Sequence, residues 1–289
     1  MATPRGDLMI IDAHVHVWDL SSASYSWLTD AVHPLDRTVL LDEFPSIRPA
    51  TRIILVQAAD NASDTAVMRA QAELDPRVVG IVAWVPLDQP HLVAELAQEY
   101  ANDPLIVGVR NLIHERAAGW LAGAAQTESL NLLANAGLTL DFVTADHAAL
   151  CEVPALADRH PGLRIVIDHL GKPPLAGDAR ARAAWRSALA DAATRPTVFA
   201  KASGLLGPAD PLSPGAGHPA RPFVDTALDL FGADRVMYGS DWPLVELVED
   251  HRKAFDLVAS AAGDRGGTSL TSVLSDTAAY FYDIHGLDS

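Results

Sequence analysis

Eight short apolar runs rich in β-branched residues alternate along the chain with longer stretches of helical spacing, and this alternation limits the fold more than any other feature. The runs lie at residues 8–15, 52–58, 78–85, 105–111, 138–143, 164–170, 197–203 and 235–241. Runs that are apolar on both faces are typical of parallel strands covered by helices. Eight strand–helix units therefore predict an α/β fold, a (β/α)₈ TIM barrel. An open doubly wound sheet is the alternative, but no G-x-G-x-x-G follows the first run.

The size and charge of the chain limit its domain organisation and the partners that it can bind. The 289 residues contain no composition break or internal repeat, so we predict a single domain over residues 8–285. The 21 basic and 37 acidic residues give a net charge of −16, which disfavours nucleic acid and anionic membrane surfaces as partners. The N-terminal run lacks a signal-peptide pattern, no apolar stretch reaches the ~18 residues of a membrane span, and Cys151 is the only cysteine. We expect a cytoplasmic protein.

Polar side chains stand at the carboxyl ends of three predicted strands. His14 and His16 end the first strand, where a two-residue period places both imidazoles on one side. His169 closes the sixth strand and Asp241 closes the eighth. Each alone is also typical of a loop histidine or a helix-capping aspartate. Together they indicate one shared site, because the active site of a barrel lies at this face.

Two long connections follow strands at the same face. Residues 17–50 follow strand one and residues 205–222 follow strand seven, and both would overhang the predicted site. Their histidines His33 and His218 are therefore secondary candidates for the pocket. Their arginines Arg37, Arg48 and Arg221 would change the substrate preference if they reached it.

The motifs IDAHVHVWD, YSWL, VGVR, IDHLGKP, KASGL and FGADRVMYGSDWP resemble those of the amidohydrolase superfamily. Within it they are similar to the lactonase-like branch, which hydrolyses sugar-acid lactones and pyrone or muconolactone derivatives. The resemblance extends from about Met9 to Ile284. It implies a barrel in which His14, His16, His169 and Asp241 line the reaction centre, with His14, His16 and Asp241 as ligands wherever a metal is bound.

The resemblance also limits the metal content. A two-metal centre would need a carboxylated lysine on strand four, but that strand reads LIVGVRN. Single-metal relatives generally add a histidine at the end of strand five, where this chain has residues 141–144 and only His147 beyond them. Catalysis without a cofactor and catalysis with one divalent ion, most simply zinc, both stay open.

The predicted reaction is the opening of a small oxygenated lactone by water. Asp241 would act as the general base, and the three histidines would hydrogen-bond the developing oxyanion. Arg110 would clamp a substrate carboxylate or hydroxyls, unless it is held in a structural salt bridge. The further substrate contacts predicted from strand ends are Gln57, Trp84, Lys201 and Trp242. Because Arg110 and Lys201 are the only cations that this interpretation positions, a neutral sugar lactone is preferred over a dicarboxylated one.

Two other functions compete with lactone hydrolysis. A metal-dependent nonoxidative decarboxylase of the same superfamily would need a firmly held ion, and the missing strand-five histidine argues against it. A catalytically silent barrel that binds a metabolite would not need a carboxylate beside an oxyanion pocket. Nucleophilic catalysis is disfavoured because the chain has no G-x-S-x-G motif.

Overall fold

The computed structural model of the chain describes residues 8–48, 51–144, 146–205, 220–248 and 250–287. Eight strands form one sheet, and each strand pairs in parallel with the next along the chain. The strands are β1 (Ile10–Val15), β2 (Thr51–Val56), β3 (Val78–Ala83), β4 (Ile106–Arg110), β5 (Thr139–Phe142), β6 (Ile165–Ile167), β7 (Val198–Ala202) and β8 (Val236–Tyr238). This sheet confirms the predicted TIM barrel.

Helices connect most successive strands. The α-helices of the described residues are α1 (Ala62–Leu74), α2 (Pro90–Tyr100), α3 (Ala124–Asn135), α4 (Val153–Arg159), α5 (Ala179–Ala193), α6 (Arg221–Phe231), α7 (His251–Gly263), α8 (Gly267–Thr271) and α9 (Thr277–Phe281). Side chains that accept a hydrogen bond from the first turn begin three of them: Asn61 for α1, Asp178 for α5 and Asp250 for α7. No helix in the described part of the chain is long and apolar enough to cross a membrane.

The barrel is closed by residues that follow β8. Trp242 forms a parallel bridge with Val15 of β1, and the Trp242 carbonyl accepts a hydrogen bond of 2.8 Å from the His16 amide. The Asp241 amide donates a 2.9 Å hydrogen bond to the His14 carbonyl. The backbone that closes the barrel thus brings Asp241 next to the two histidines of β1.

Two apolar clusters occupy the two sides of the sheet. The larger contains β1 residues such as Ile10 and Val15, together with buried residues of the surrounding helices. The smaller contains the alternate strand residues, for example Ile11, Val56 and Phe199, together with Phe281 and Tyr282 of the C-terminal segment. Because side chains alternate between the faces of a strand, the smaller cluster fills the barrel interior. The C-terminal segment therefore packs against the interior of the barrel.

Strands β6 and β8 are shorter than the sequence predicts. The predicted runs extend to residues 170 and 241, whereas the strands end at Ile167 and Tyr238. His169, Leu170 and Asp241 have φ angles of 54°, 50° and 63°, which a strand does not accommodate. His169 and Asp241 therefore lie on the turns after their strands rather than on the strands themselves.

Candidate active site

The two histidines of β1 meet at their ring edges. The Nε2 atoms of His14 and His16 are 3.1 Å apart, and both side chains are buried. His16 Nδ1 lies 2.7 Å from the carbonyl oxygen of Val56, which can only accept a hydrogen bond. A neutral His16 therefore carries its proton on Nδ1 and presents the Nε2 lone pair to the site.

His169 enters the site through a left-handed turn after β6. Residues 169–172 all have positive φ angles, between 50° and 69°. This conformation places the His169 ring 4.7 Å from the His14 ring, and Ser203 Oγ lies 3.0 Å from His169 Nδ1. A hydroxyl that donates to Nδ1 leaves the Nε2 proton of a neutral His169 free to donate to another group.

Asp241 completes the group of four. Its Oδ1 lies 3.5 Å from His16 Nε2 and 3.7 Å from His14 Nε2. The residue is 6% exposed, and Oδ1 has no hydrogen-bond partner among the described residues. A buried carboxylate oxygen without a partner is costly, so it is a candidate for binding a ligand, water or ion.

The backbone of Gly204 passes close to this group. A Cβ on Gly204 would lie 2.3 Å from His169 Nδ1 and 2.9 Å from Asp241 Oδ2, and its φ angle is +56°. Only glycine fits this close approach in this conformation. The strand-seven motif KASGL therefore contributes a wall that keeps space beside His169 and Asp241 open.

A cavity of about 350 Å³ opens above the group. It is lined by His16, Trp27, Val32, Ala58, Arg110, Leu112, His114, Glu115, Val143, Thr144, His169, Lys172, Gly204, Asp241, Leu244 and Leu247. Its volume suits a small molecule. His16, His169 and Asp241 thus face a space large enough for a substrate, while His14 lies directly behind them.

The protonation states of the group follow from burial and neighbouring charge. Burial alone would raise the pKa of Asp241, but His169, His16 and Lys172 outweigh it and lower that pKa to about 2. Burial holds the pKa values of His14 and His169 well below 6.5, with nearby Lys201 acting in the same direction on His14. At neutral pH the ionised carboxylate of Asp241 therefore lies beside the neutral imidazoles of His14 and His169.

The donor atoms suit one divalent ion. Ligand atoms of His14, His169 and Asp241 lie within 4.8 Å of one another, and the predicted set of His14, His16 and Asp241 is equally compact. Imidazole nitrogens and a carboxylate are ligands that zinc takes, and Asp241 Oδ1 is an unpaired acceptor. One feature opposes an ion: Arg110 Nη1 lies 3.1 Å from His14 Nε2.

The five predicted substrate contacts divide into two groups. Arg110 lines the cavity, although its Nε also lies 3.4 Å from Asp168 Oδ2. In the described part of the chain, the other four residues are not part of the cavity wall. Gln57 donates to the Arg110 carbonyl, Lys201 is fully buried beside Asp141, and Trp242 packs edge to face on Phe44.

Trp84 is the fourth residue outside the cavity wall. Its amide donates to Thr65 Oγ1, and its carbonyl accepts from the Tyr100 hydroxyl. The strand-end positions of Gln57, Trp84, Lys201 and Trp242 are thus supporting positions. Of the five predicted substrate contacts, only Arg110 lines the cavity.

The cavity also contains residues that sequence reasoning missed. Lys172 follows the left-handed turn with a φ angle of 53°, lines the cavity, and lowers the pKa of Asp241 by its positive charge. His114 and Trp27 line the same cavity, and Trp27 Nε1 donates to the Ala58 carbonyl. The IDHLGKP motif could have pointed to Lys172, because this lysine belongs to the motif and lies three residues after His169.

The other loop candidates lie away from the cavity. His33 is exposed and bonds Asp36, and Arg37 pairs with Glu43 through both terminal nitrogens. Arg221 pairs with Asp225 and Asp264, and Arg48 is exposed. His218 lies outside the described residues.

Comparison with known proteins identifies the family of the chain. Residues 11–284 match the amidohydrolase family. L-fucono-1,5-lactonase of Burkholderia ambifaria is 33% identical over 82% of this chain and 81% of its own length. L-fucono-1,5-lactonase of Burkholderia multivorans is 32% identical over 94% of this chain and 95% of its own length. An amidohydrolase from Burkholderia multivorans, crystallised with bound zinc, matches with a TM-score of 0.84 and 28% identity over 96% of this chain and 100% of its own. The chain therefore belongs to the amidohydrolase family.

Proposed function

We propose that the protein hydrolyses a small oxygenated lactone, with Asp241 as the general base. The observation that carries this proposal is the unpaired, buried Oδ1 of Asp241 within 3.7 Å of two histidine nitrogens, at a cavity of substrate size. Relatives that are 32% and 33% identical are L-fucono-1,5-lactonases, which supports the same class of reaction here.

In the proposed first step, Asp241 removes a proton from a water molecule that attacks the lactone carbonyl carbon. The carboxylate is ready for this role because its pKa of about 2 keeps it ionised at neutral pH. A general base in this position accelerates such a step by about 10²- to 10⁴-fold. The attacking water forms a C–O bond, and the carbonyl oxygen becomes an oxyanion.

The oxyanion needs hydrogen-bond donors, and the site offers a specific set. His16 uses its Nδ1 proton for Val56, so a neutral His16 has no proton for the substrate. We assign the donation to His169, with the cations Arg110 and Lys172 in the same cavity wall. One such donor lowers the barrier by about 3 kcal/mol in comparable oxyanion sites.

In the second step the ring C–O bond breaks and Asp241 returns its proton to the departing alkoxide. The product is a hydroxy acid, which carries a negative charge that the lactone lacked. Arg110 and Lys172 would bind the new carboxylate. One carboxyl group thus serves both steps, first as base and then as acid.

One divalent ion is compatible with this proposal. His14, His16, His169 and Asp241 would hold it, and when bound it would supply Lewis acidity to the carbonyl or to water. The zinc bound by a 28% identical relative supports such binding here. Every role assigned above belongs to side chains of the chain itself.

The substrate proposed first is a neutral sugar lactone such as L-fucono-1,5-lactone. The cavity combines Trp27, suited to a sugar face, with polar groups such as Thr144 and His114 that suit hydroxyls. A carboxylated lactone is the second choice, because Lys172 adds a cation to Arg110 in the cavity wall.

A panel of lactones tests the proposal. Acid release in weak buffer would be followed for aldonolactones and carboxylated lactones, before and after chelation, with metal content measured in each preparation. Turnover of a sugar lactone supports the proposal, and turnover that survives metal removal supports catalysis by the side chains alone. Strictly metal-dependent release of CO₂ from an aromatic acid would instead support a decarboxylase. Lactone binding without turnover would support a silent barrel.

A further inference from the structure

A second buried polar group lies behind the active site and shares His14 with it. Ligand-type atoms of His14, Asp141 and Asp168 lie within 4.8 Å of one another. All three side chains are buried, at 0% to 1% exposure, and Asp141 and Asp168 are absent from the cavity wall of the described chain. An imidazole and two carboxylates in this arrangement are a set that could hold a divalent cation. We call these three residues the inner cluster.

The ammonium group of Lys201 lies within this set. Lys201 Nζ is 2.5 Å from Asp141 Oδ2, 3.1 Å from His14 Nδ1 and 3.4 Å from Asp168 Oδ1. The side chain is 0% exposed. The ammonium hydrogen-bonds Asp141 and His14 and makes an ion pair with Asp168, whose two oxygens have no hydrogen-bond partner among the described residues.

The charges around the inner cluster balance. Two buried carboxylates, Asp141 and Asp168, face the two cations Lys201 and Arg110, and Arg110 Nε lies 3.4 Å from Asp168 Oδ2. The hydroxyl of Tyr282, the residue after α9, lies 2.9 Å from both oxygens of Asp141. Removing one cation would leave a buried carboxylate without compensation, which is strongly unfavourable.

We propose that Lys201 is a resident cation, which fills a metal-type site formed by His14, Asp141 and Asp168 and fixes the tautomer of His14. This role differs from the substrate contact that the strand position of Lys201 suggests. Lys201 is then a positioning residue, because it acts on the reaction centre through His14.

Two cations that can only donate flank the His14 ring: Lys201 Nζ lies 3.1 Å from Nδ1, and Arg110 Nη1 lies 3.1 Å from Nε2. In the proposed tautomer His14 Nδ1 accepts from the ammonium, and the His14 proton lies on Nε2. That proton points to His16 Nε2 at 3.1 Å, whose lone pair is free because His16 Nδ1 donates to Val56. Each bond from Lys201 through His14 and His16 to Val56 then has one donor and one acceptor. The opposite tautomer would donate to Asp168 at 3.4 Å and accept from Arg110 Nη1 at 3.1 Å, but its Nδ1 proton would face the Lys201 ammonium, whereas the Nε2 proton of the proposed tautomer faces Arg110 Nη1.

Nitrogen NMR of the wild-type protein tests the tautomer directly. The chain would be labelled with [¹⁵N]histidine, and His14 would be assigned by comparison with a His14→Gln variant. We expect a neutral ring with a proton on Nε2 and a lone pair on Nδ1. A neutral ring with the proton on Nδ1 would overturn the proposal. This readout needs neither substrate nor turnover.

Removal of the ammonium tests the resident cation. Lys201→Ala keeps His14, Asp141 and Asp168 but empties the space between them. We expect its melting temperature to fall by about 10 °C, the effect of breaking a buried ion pair in a domain of this size. Manganese or zinc should then restore about 6 °C at a hundredfold excess over Kd.

The double variant Lys201→Ala/Asp141→Asn is the matched control. It lacks one ligand of the inner cluster but keeps His16, His169 and Asp241, so binding at the outer group is unchanged. Under the proposal, added metal raises the melting temperature of Lys201→Ala more than that of wild type, and this additional rise disappears in the double variant. An equal metal-induced rise in melting temperature for wild type, the single variant and the double variant would overturn the proposal. If Lys201→Ala fails to fold, the wild-type NMR measurement decides alone. Failure of the lactone panel would leave both results interpretable, since neither depends on the proposed function.

Discussion

The polar residues at the carboxyl end of the barrel form two groups that share His14 but differ in their access to the cavity and in their balance of charge. The outer group of His16, His169 and Asp241 faces the cavity, and Asp241 Oδ1 has no hydrogen-bond partner in the described chain. The inner cluster lies behind it, with two carboxylates facing two cations.

The difference separates reactivity from support. A ligand or water can reach a charged atom without a hydrogen-bond partner only where that atom faces the cavity, so the outer group is where chemistry is expected. The charges of the inner cluster are compensated and its side chains are fully buried, so its role is to hold the outer group in place. Changes in the outer group should therefore abolish turnover at little cost in stability.

The largest expected effect is that of Asp241→Asn. The amide is nearly isosteric but cannot accept a proton from water, so kcat should fall by about 1,000-fold. The melting temperature should stay within about 3 °C of wild type, because no hydrogen bond of Oδ1 is lost within the described residues. Steady-state kinetics and thermal unfolding on one preparation check both expectations. Turnover near the wild-type rate would remove the general base from the mechanism.

Gly204→Ala should have the next largest effect, with a loss of turnover of about 100-fold. The new Cβ would lie 2.3 Å from His169 Nδ1 and 2.9 Å from Asp241 Oδ2, which displaces the outer group. Gly137→Ala is the matched control, since Gly137 also has a positive φ angle, +78°, but nothing lies within 4 Å of its Cβ position. Both variants should lose about 1 kcal/mol of unfolding free energy from the left-handed backbone. Equal turnover in the two variants would contradict the role of Gly204.

A smaller effect is expected for Lys172→Met. The substitution keeps most of the side-chain volume but removes a cation from the cavity wall, so kcat/KM should fall by about tenfold. The loss should be larger for a carboxylated lactone than for a neutral one. Parallel kinetics on the two substrate types measure this difference. Unchanged kcat/KM for both types would show that the ammonium does not act on the substrate.

The smallest effect concerns stability against pH and involves His169→Gln. The folded-state pKa of His169 is lowered well below 6.5 by burial, so below pH 6.5 the unfolded chain binds a proton that the folded chain does not. Wild type therefore loses stability relative to the variant as pH falls below 6.5, by about 1.4 kcal/mol per pH unit. Urea unfolding of both proteins at pH 8, 6 and 5 measures the difference. A constant difference across these values would show that folded His169 titrates normally.

Much of the outer group could be predicted from sequence, because it depends on short-range rules. Side-chain alternation in β1 brings His14 and His16 together, and the carboxyl ends of parallel strands bring His169 and Asp241 to the same face. The exact ends of β6 and β8 could not be predicted, since the left-handed turns at His169 and Asp241 depend on tertiary contacts.

The inner cluster was beyond sequence reasoning for a physical reason. Lys201 and Tyr282 are separated in the chain from Asp141 by 60 and 141 residues, and no local pattern encodes such pairs. The strand period places Lys201 inside the barrel but does not give its depth, so a buried cation and a substrate contact have the same sequence signal. Lys172 was missed for a related reason, because its position depends on the turn that follows β6.

A crystal structure of the Asp241→Asn variant with an intact sugar lactone tests the central claim most directly. The account predicts the lactone in the 350 Å³ cavity, with its carbonyl carbon facing residue 241 and its carbonyl oxygen within hydrogen-bond distance of His169. A lactone bound elsewhere, or one in the cavity with its carbonyl turned away from both residues, would contradict it.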